Sequence, residues 1–311
     1  MKYLKCSFLL ALFCCITACN SGRSESDTSL SPEQERLERI NRIDSLSLPM
    51  TLKLDSIEGW EQLSAISAEA WMLIDDSTGF VISQKYANDP KYIASLTKMM
   101  TCLLALEKGN MRDTVEITED VFITKDSRVR LGDGYEVRHL IDEMMLLSDN
   151  DAAYALATHI GGDTLRFCEM MNEKAAYLGM TNTHFANPNG MPNSQNYSSA
   201  CDLLRLARYC MGDSTFAQIV GTKEKDIPLT DGRHMPCRNT NALLMTYKGC
   251  IGIKTGYTRQ AGNCLASAAT RDGVTLYLVL LNSRSMSSRF TESALLLDYG
   301  FNVMKAYKKC P

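Results

Sequence analysis

Ser95 and Lys98 are the first residues in this 311-residue chain whose types and spacing allow covalent chemistry. They stand three apart in KYIASLTKMMTCLLALEKG, residues 91–109, where Met, Leu and Ala recur at helical spacing from Met99 onward. Positions i and i+3 share a helix face, so a hydroxyl and an amine meet at the start of an apolar helix. A lysine rarely enters a core without a partner or a task. Burial lowers its pKa, so the amine becomes a base instead of an inert cation. Serine alone is a weak nucleophile and needs such a neighbour. The helix start adds unpaired N–H groups and a positive end, which favour negative charge developing near Ser95. On its own, S-x-x-K is a frequent accident of sequence, commonly a surface helix turn.

Two further triplets change its weight. MMLLSDNDAAYALA places Ser148-Asp149-Asn150 between the end of one apolar helix and the start of another, where an N-cap is the plain reading. IGIKTGYT places Lys254-Thr255-Gly256 in a strand. Side chains alternate there, so Lys254 and Gly256 share a face, and the glycine leaves room for a ligand against the strand. In this order, S-x-x-K, S-D-N and K-T-G form the signature of penicillin-binding proteins and class A β-lactamases.

The text around the triplets resembles the S11 peptidase family, low-molecular-mass penicillin-binding proteins that act as D-alanyl-D-alanine carboxypeptidases. AWMLIDDSTGFVISQKYANDPKYIASLTKMMTCLLAL is similar to that family's opening hairpin and nucleophile helix. DSRVRLGDGYEVRHLIDEMMLLSDNDAA resembles its approach to the second motif, HFANPNGMPNSQNYSSACDLLRLARY its Asn-Pro-x-Gly loop, and GIKTGYTRQAGNCLASAATRDG its third motif. The resemblance implies roles residue by residue. Ser95 would attack the carbonyl between two D-alanines, Lys98 would take its proton, and Ser148 would pass a proton to the leaving nitrogen. Asn150 would position the substrate amide, while Lys254, Thr255 and Gly256 would bind at the terminal carboxylate. The backbone N–H groups of Ser95 and Tyr257 would form the oxyanion hole. The implied partners are a peptidoglycan stem peptide ending in D-Ala-D-Ala and β-lactams, which would enter the same route and stall.

Ser-Asp-Asn departs from the family, which commonly has a small residue in the middle, and is the β-lactamase form. A class A β-lactamase also needs a glutamate in an E-x-x-x-N loop. Between Asn150 and Lys254 the glutamates are Glu169, Glu173 and Glu224, none with asparagine four residues on. The other rivals are a DD-endopeptidase acting on cross-links and a non-catalytic penicillin sensor. Loss of Ser95, Lys98 or Lys254 would mark the sensor, and all three are present.

The elements that must position these residues follow from pattern. Residues 70–76 and 79–86 are two short apolar runs around Ser77-Thr78, a hairpin signal. Residues 135–160, 164–180 and 201–211 read as helices. CIGIKTGYT, NCLASAATRDG and VTLYLVLLNS read as strands joined by turns, followed by a helix over about 289–308. Strands at both ends with helices between give an α+β expectation: an antiparallel sheet flanked by helices, with an inserted helical lobe, as in the β-lactamase and penicillin-binding-protein fold.

The N-terminus, MKYLKCSFLLALFCCITACN, has Lys2 and Lys5, an apolar run and then small residues, the pattern of a secretory signal over 1–18. Ile16-Thr17-Ala18-Cys19 resembles a bacterial lipobox, so Cys19 is the expected lipidation site and a membrane the expected partner through that lipid. Residues 19–66 then read as a tether, with Leu37, Ile40, Ile43 and Leu46 as one short stripe, and 67–311 as the peptidase domain without an appended β-rich domain. The location expected is the outer face of a bacterial membrane. A net charge of −3 leaves no basic excess for a phosphate backbone, so no nucleic-acid partner is expected. Four scattered histidines without HExxH or paired Cys/His spacing give no support for a metal, and no cofactor is expected. Of the twelve cysteines, those beyond Cys19 read mostly as small buried hydrophobes.

Overall fold

The computed structural model describes residues 30–41, 52–124 and 127–309. The signal segment, Cys19, Ile43, Leu46 and Cys310 lie outside the described residues. Pro32–Asn41 forms α1, followed by the hairpin strands Ala70–Asp75 (β1) and Val81–Lys85 (β2). Lys98–Lys108 is α2; Thr114–Glu116 (β3) and Gly134–Glu136 (β4) make a small ribbon. Helices Val137–Leu146 (α3), Asn150–Gly161 (α4), Thr164–Tyr177 (α5), Ala200–Met211 (α6) and Ser214–Gly221 (α7) build the lobe. Glu224–Pro228 (β5) and His234–Arg238 (β6) form a second ribbon, and Leu243–Thr246 is α8. Cys250–Thr258 (β7), Gly262–Arg271 (β8), Val274–Ser283 (β9) and the helix Met286–Tyr307 (α9) complete the order.

The main sheet runs β2-β1-β9-β8-β7, antiparallel at every pairing. The first two strands come from one end of the chain and the last three from the other, as the pattern implied. β1 is buried along its whole length because both faces are covered. On one face α9 lays Leu296, Leu297, Tyr299 and Val303 against Leu73, Leu276 and Leu278. On the other, a larger core joins Met72 and Ile74 to Met99 and Met100 of α2 and to Met144 and Leu156 of the lobe. β7 is left at the sheet edge, beside the turn that carries Ser95.

Three expectations change. Ser95 is not on an α-helix: Ala94–Thr97 is a 3-10 turn and α2 begins at Lys98. At three residues per turn, i and i+3 eclipse, which brings Ser95 and Lys98 together more directly. The span 135–160 is broken in two, because Ser148 takes φ +65°, which no α-helix accommodates. The expected tether, in its described parts, touches the folded body at several residues. Ile40 of α1 is fully buried, and Arg36 and Arg39 donate to Tyr209 O (2.7 Å) and Arg208 O (3.1 Å). Those are carbonyls of the last turn of α6, of which Tyr209 O also accepts from the C-cap Gly212 N–H (3.2 Å). Leu52, Leu54, Ile57 and Leu63 pack into the layer under α9.

Among the described cysteines, Cys102, Cys168, Cys201, Cys210, Cys237 and Cys264 are buried, Cys250 is half-buried, and none forms a disulfide. No helix among the described residues is long and apolar enough to cross a membrane.

Candidate active site

The nucleophile turn is held from two sides. Ala94 takes φ +48°, an uncommon conformation for a residue with a Cβ, and this swings Ser95 out of the line of α2. Gly190 closes on it from the 187–191 loop: a Cβ there would overlap the Ala94 carbonyl. Gly256 of β7 closes from the sheet edge, where a Cβ would stand 3.0 Å from Ile93 O and 3.2 Å from Ser95 N. The sequence suggested that Gly256 leaves room for a ligand; the room is taken by the Ser95 turn itself. The chain at Gly256 and Tyr257 is thereby brought to the Ser95 N–H, as an oxyanion hole made from both would require.

Lys98 is fully buried, as its position on an apolar face required. Its Nζ lies 2.8 Å from Asn150 Oδ1, 2.7 Å from Asn189 O and 3.0 Å from Ser95 Oγ. Burial pulls its pKa down to about 7, while the Asp149 carboxylate pushes the other way. A neutral amine has two hydrogens and one lone pair. The two carbonyl oxygens can only accept, so they take both hydrogens, and the lone pair is left facing the Ser95 hydroxyl. That is the arrangement of a base aimed at its nucleophile.

Asn189 belongs to the Asn-Pro-Asn-Gly loop, whose internal bonds fix its carbonyl. Gly190 N donates to Asn187 Oδ1 (2.7 Å), Asn187 Nδ2 to Met191 O (3.0 Å), and Thr101 Oγ1 of α2 to Pro188 O (2.6 Å). Sequence reading assigned no residue of this loop to the site; its Asn, Pro and Gly content was the available signal.

In the second motif, Asn150 reaches Lys98, whereas Asp149 turns the other way. Its carboxylate caps α4 through Asp151 N and Ala152 N (both 3.0 Å), and it accepts from Ser127 Oγ (2.7 Å) and Arg128 N (2.7 Å). The plain N-cap reading describes Asp149, while Asn150 is the residue of the triplet that turns to Lys98. Ser148, half-buried, supplies the left-handed turn between α3 and α4.

In the third motif, Lys254 is buried and its nearest hydrogen-bond acceptor is Thr255 O at 3.4 Å. Burial, then the neighbouring Lys98 and Arg289 charges, hold its pKa well below the usual lysine range. Arg289, buried in the first turn of α9, donates to Gly256 O (3.1 Å) and leaves Nε without a partner. Among the described residues, neither cation forms an ion pair. Two buried basic side chains without an acidic partner mark a place where an anion would be held and would favour the charged lysine. Arg289 was missed in the sequence, although an arginine opening an apolar terminal helix was the clue. Thr255 Oγ1 lies 2.7 Å from Thr240 Oγ1, and Tyr257 is exposed. The structure thus brings Ser95, Lys98 and Asn150 into direct contact, with Lys254, Thr255, Gly256 and Tyr257 along the β7 edge. Among the described residues no cluster of metal-binding side chains occurs.

A sequence profile of the peptidase S11 family, described as D-alanyl-D-alanine carboxypeptidase, matches residues 58–285. The chain is 33% identical over 245 residues to D-alanyl-D-alanine carboxypeptidase DacF of Bacillus subtilis (strain 168), covering 76% of this chain and 63% of that one. It is 35% identical over 255 residues to the D-alanyl-D-alanine carboxypeptidase of Streptomyces sp. (strain K15), covering 76% and 88%. The crystal structure of the Streptomyces K15 DD-transpeptidase superposes with a TM-score of 0.72 at 34% identity, over 76% of this chain and 97% of that one.

Proposed function

The chain belongs to the peptidase S11 family, the D-alanyl-D-alanine carboxypeptidases, and on that premise we propose that it removes the terminal D-alanine from peptidoglycan stem peptides by way of a Ser95 acyl-enzyme. The observation that carries this reading is Lys98, buried, with a pKa near 7 and its lone pair turned to Ser95 Oγ at 3.0 Å. The terminal carboxylate lies on Lys254, Thr255 and Arg289, where buried positive charge lacks a counter-ion. Ser95 Oγ attacks the carbonyl carbon of the penultimate D-alanine as its proton moves to Lys98. The Ser95 and Tyr257 N–H groups hold the oxyanion, each worth about 3 kcal/mol in such sites. The C–N bond then breaks, and the D-alanine nitrogen leaves with a proton delivered from Lys98 through Ser148. Water attacks the ester, Lys98 takes its proton, and Ser95 is restored. A β-lactam follows the first half of this route and remains on Ser95.

A second reading has its own support: the similar Streptomyces protein is named a DD-transpeptidase. In that case an amine takes the place of water as the acyl acceptor. Export and anchoring by a lipid at Cys19 belong to the same proposal and rest on the N-terminal sequence; labelled fatty acid that Cys19→Ser fails to incorporate is the check.

The first measurement is D-alanine release from an acyl-D-Ala-D-Ala peptide by the parent protein and by Ser95→Ala. Release that Ser95→Ala abolishes is the expected result. A parent that releases D-alanine only when an amino acceptor is added is a transpeptidase. A folded parent that releases none under either condition refutes the enzymatic reading.

A further inference from the structure

We propose that Thr240 is the positioning residue for carboxylate recognition: its hydroxyl orients the Thr255 O–H toward the substrate's terminal carboxylate. This rests on the reading of the site given above. Thr240 is exposed, yet it sits between two buried asparagines on a turn tied down at every residue. Asn239 Nδ2 donates to Thr222 O (2.9 Å), Asn241 N to Asn239 Oδ1 (2.9 Å), and Leu243 N to Asn241 Oδ1 (3.2 Å). Thr240 N donates to Leu146 O (3.0 Å), one of the carbonyls that α3 leaves unpaired two residues before Ser148. The same residue therefore grips the helix that delivers the second motif and, through its side chain, the threonine of the third.

The proton count gives the pair a direction. Two hydroxyls 2.7 Å apart share one hydrogen bond, so one donates and the other accepts. A carboxylate beside Lys254 only accepts. Thr255 must then spend its single proton on the carboxylate, which leaves its oxygen open to the Thr240 hydroxyl. The resulting chain, Thr240 O–H to Thr255 O–H to carboxylate, polarises both bonds the same way and strengthens the outer one. A substrate end without negative charge makes no such demand, and the pair is free to reverse. Thr240 is thus a discriminator of acid from ester or amide termini that acts through Thr255.

The test compares acylation of Ser95 by benzylpenicillin and by its methyl ester, read by intact-protein mass, in the parent, Thr240→Val and Thr240→Ser. Valine keeps the shape and removes the hydroxyl; serine restores it. The expected result is that Thr240→Val slows acylation by the acid about five- to tenfold. The ester should stay within about twofold, and Thr240→Ser should return to the parent rate for the acid. Equal losses for acid and ester would reduce Thr240 to a structural support and overturn the proposal. So would an unchanged acid rate in Thr240→Val, or a serine variant as slow as the valine. A parent that penicillin acylates but that releases no D-alanine refutes the carboxypeptidase reading alone, since the acid-to-ester ratio still decides this one. A parent that penicillin never acylates refutes both.

Discussion

Lys98 has two hydrogens to give when neutral, and Asn150 Oδ1 and Asn189 O take both. Only the neutral amine keeps a lone pair with which to accept the Ser95 proton. With a pKa of about 7, the base is charged and idle below that pH and free above it. The acylation rate should therefore rise with pH through about 7 and level off beyond. Asp149 opposes burial by favouring the protonated lysine. Asp149→Asn removes that charge while keeping a capping side chain, so the rising limb of the pH–acylation profile should move to lower pH. A limb that stays in place would show that Lys98 does not set it. The aspartate in Ser-Asp-Asn, which pointed toward a β-lactamase in the sequence, accepts from Asp151 N, Ala152 N, Ser127 Oγ and Arg128 N. Its work is to hold α4 and the 127–128 segment in register.

At the scale of elements, the site is a meeting of three backbones: the 3-10 turn at Ser95, the 187–191 loop and the β7 edge. Two glycines make the approach possible. Gly190 has φ +83°, and a Cβ on it would overlap Ala94 O. Gly190→Ala should cost about 1–3 kcal/mol of stability through strain alone, measured by urea unfolding. It should also slow penicillin acylation by about 100-fold, because the Ser95 turn must retreat from the base. Full acylation by a stable Gly190→Ala protein would show that the loop does not set the turn. The apolar runs of β1, β7 and α6 were legible because most of their residues are buried in one core or another. The 3-10 turn was not, since its geometry comes from contacts with residues about 100 and 160 positions further along the chain.

At the scale of the whole molecule, the lobe carries a buried acid that the proposed chemistry does not use. Glu143 of α3 is fully buried. It accepts from Cys237 Sγ at 3.0 Å, and its other oxygen has no partner. Burial drives its pKa up to about 7; the Cys237 bond and Arg128 oppose that shift, and Asp149 and Asp133 add to it. The folded state thus holds a proton that the unfolded chain has released above about 4.5. That stabilisation is complete below 4.5 and is lost as pH rises through about 7. Glu143→Gln, which cannot ionise, should melt increasingly above the parent as pH rises from about 5 to about 8, followed by thermal unfolding. A difference independent of pH would mean that Glu143 is not the titrating group.

The sequence by itself determined the family and the sheet drawn from both ends of the chain, and it named the residues on which the proposed chemistry rests. Each of these is written in local text: a periodicity, a turn or a short run around a reactive side chain. What only the tertiary structure decided is the state and surroundings of those residues. The depressed pKa of Lys98 needs a core closed over it from α4 and the 187–191 loop. The lowered pKa of Lys254 needs burial and the Arg289 charge from the final helix, and Thr255 needs Thr240 from a turn fixed to α3. Burial, field and hydrogen-bond direction are properties of atoms brought together across long stretches of chain, so no spacing within one stretch could record them.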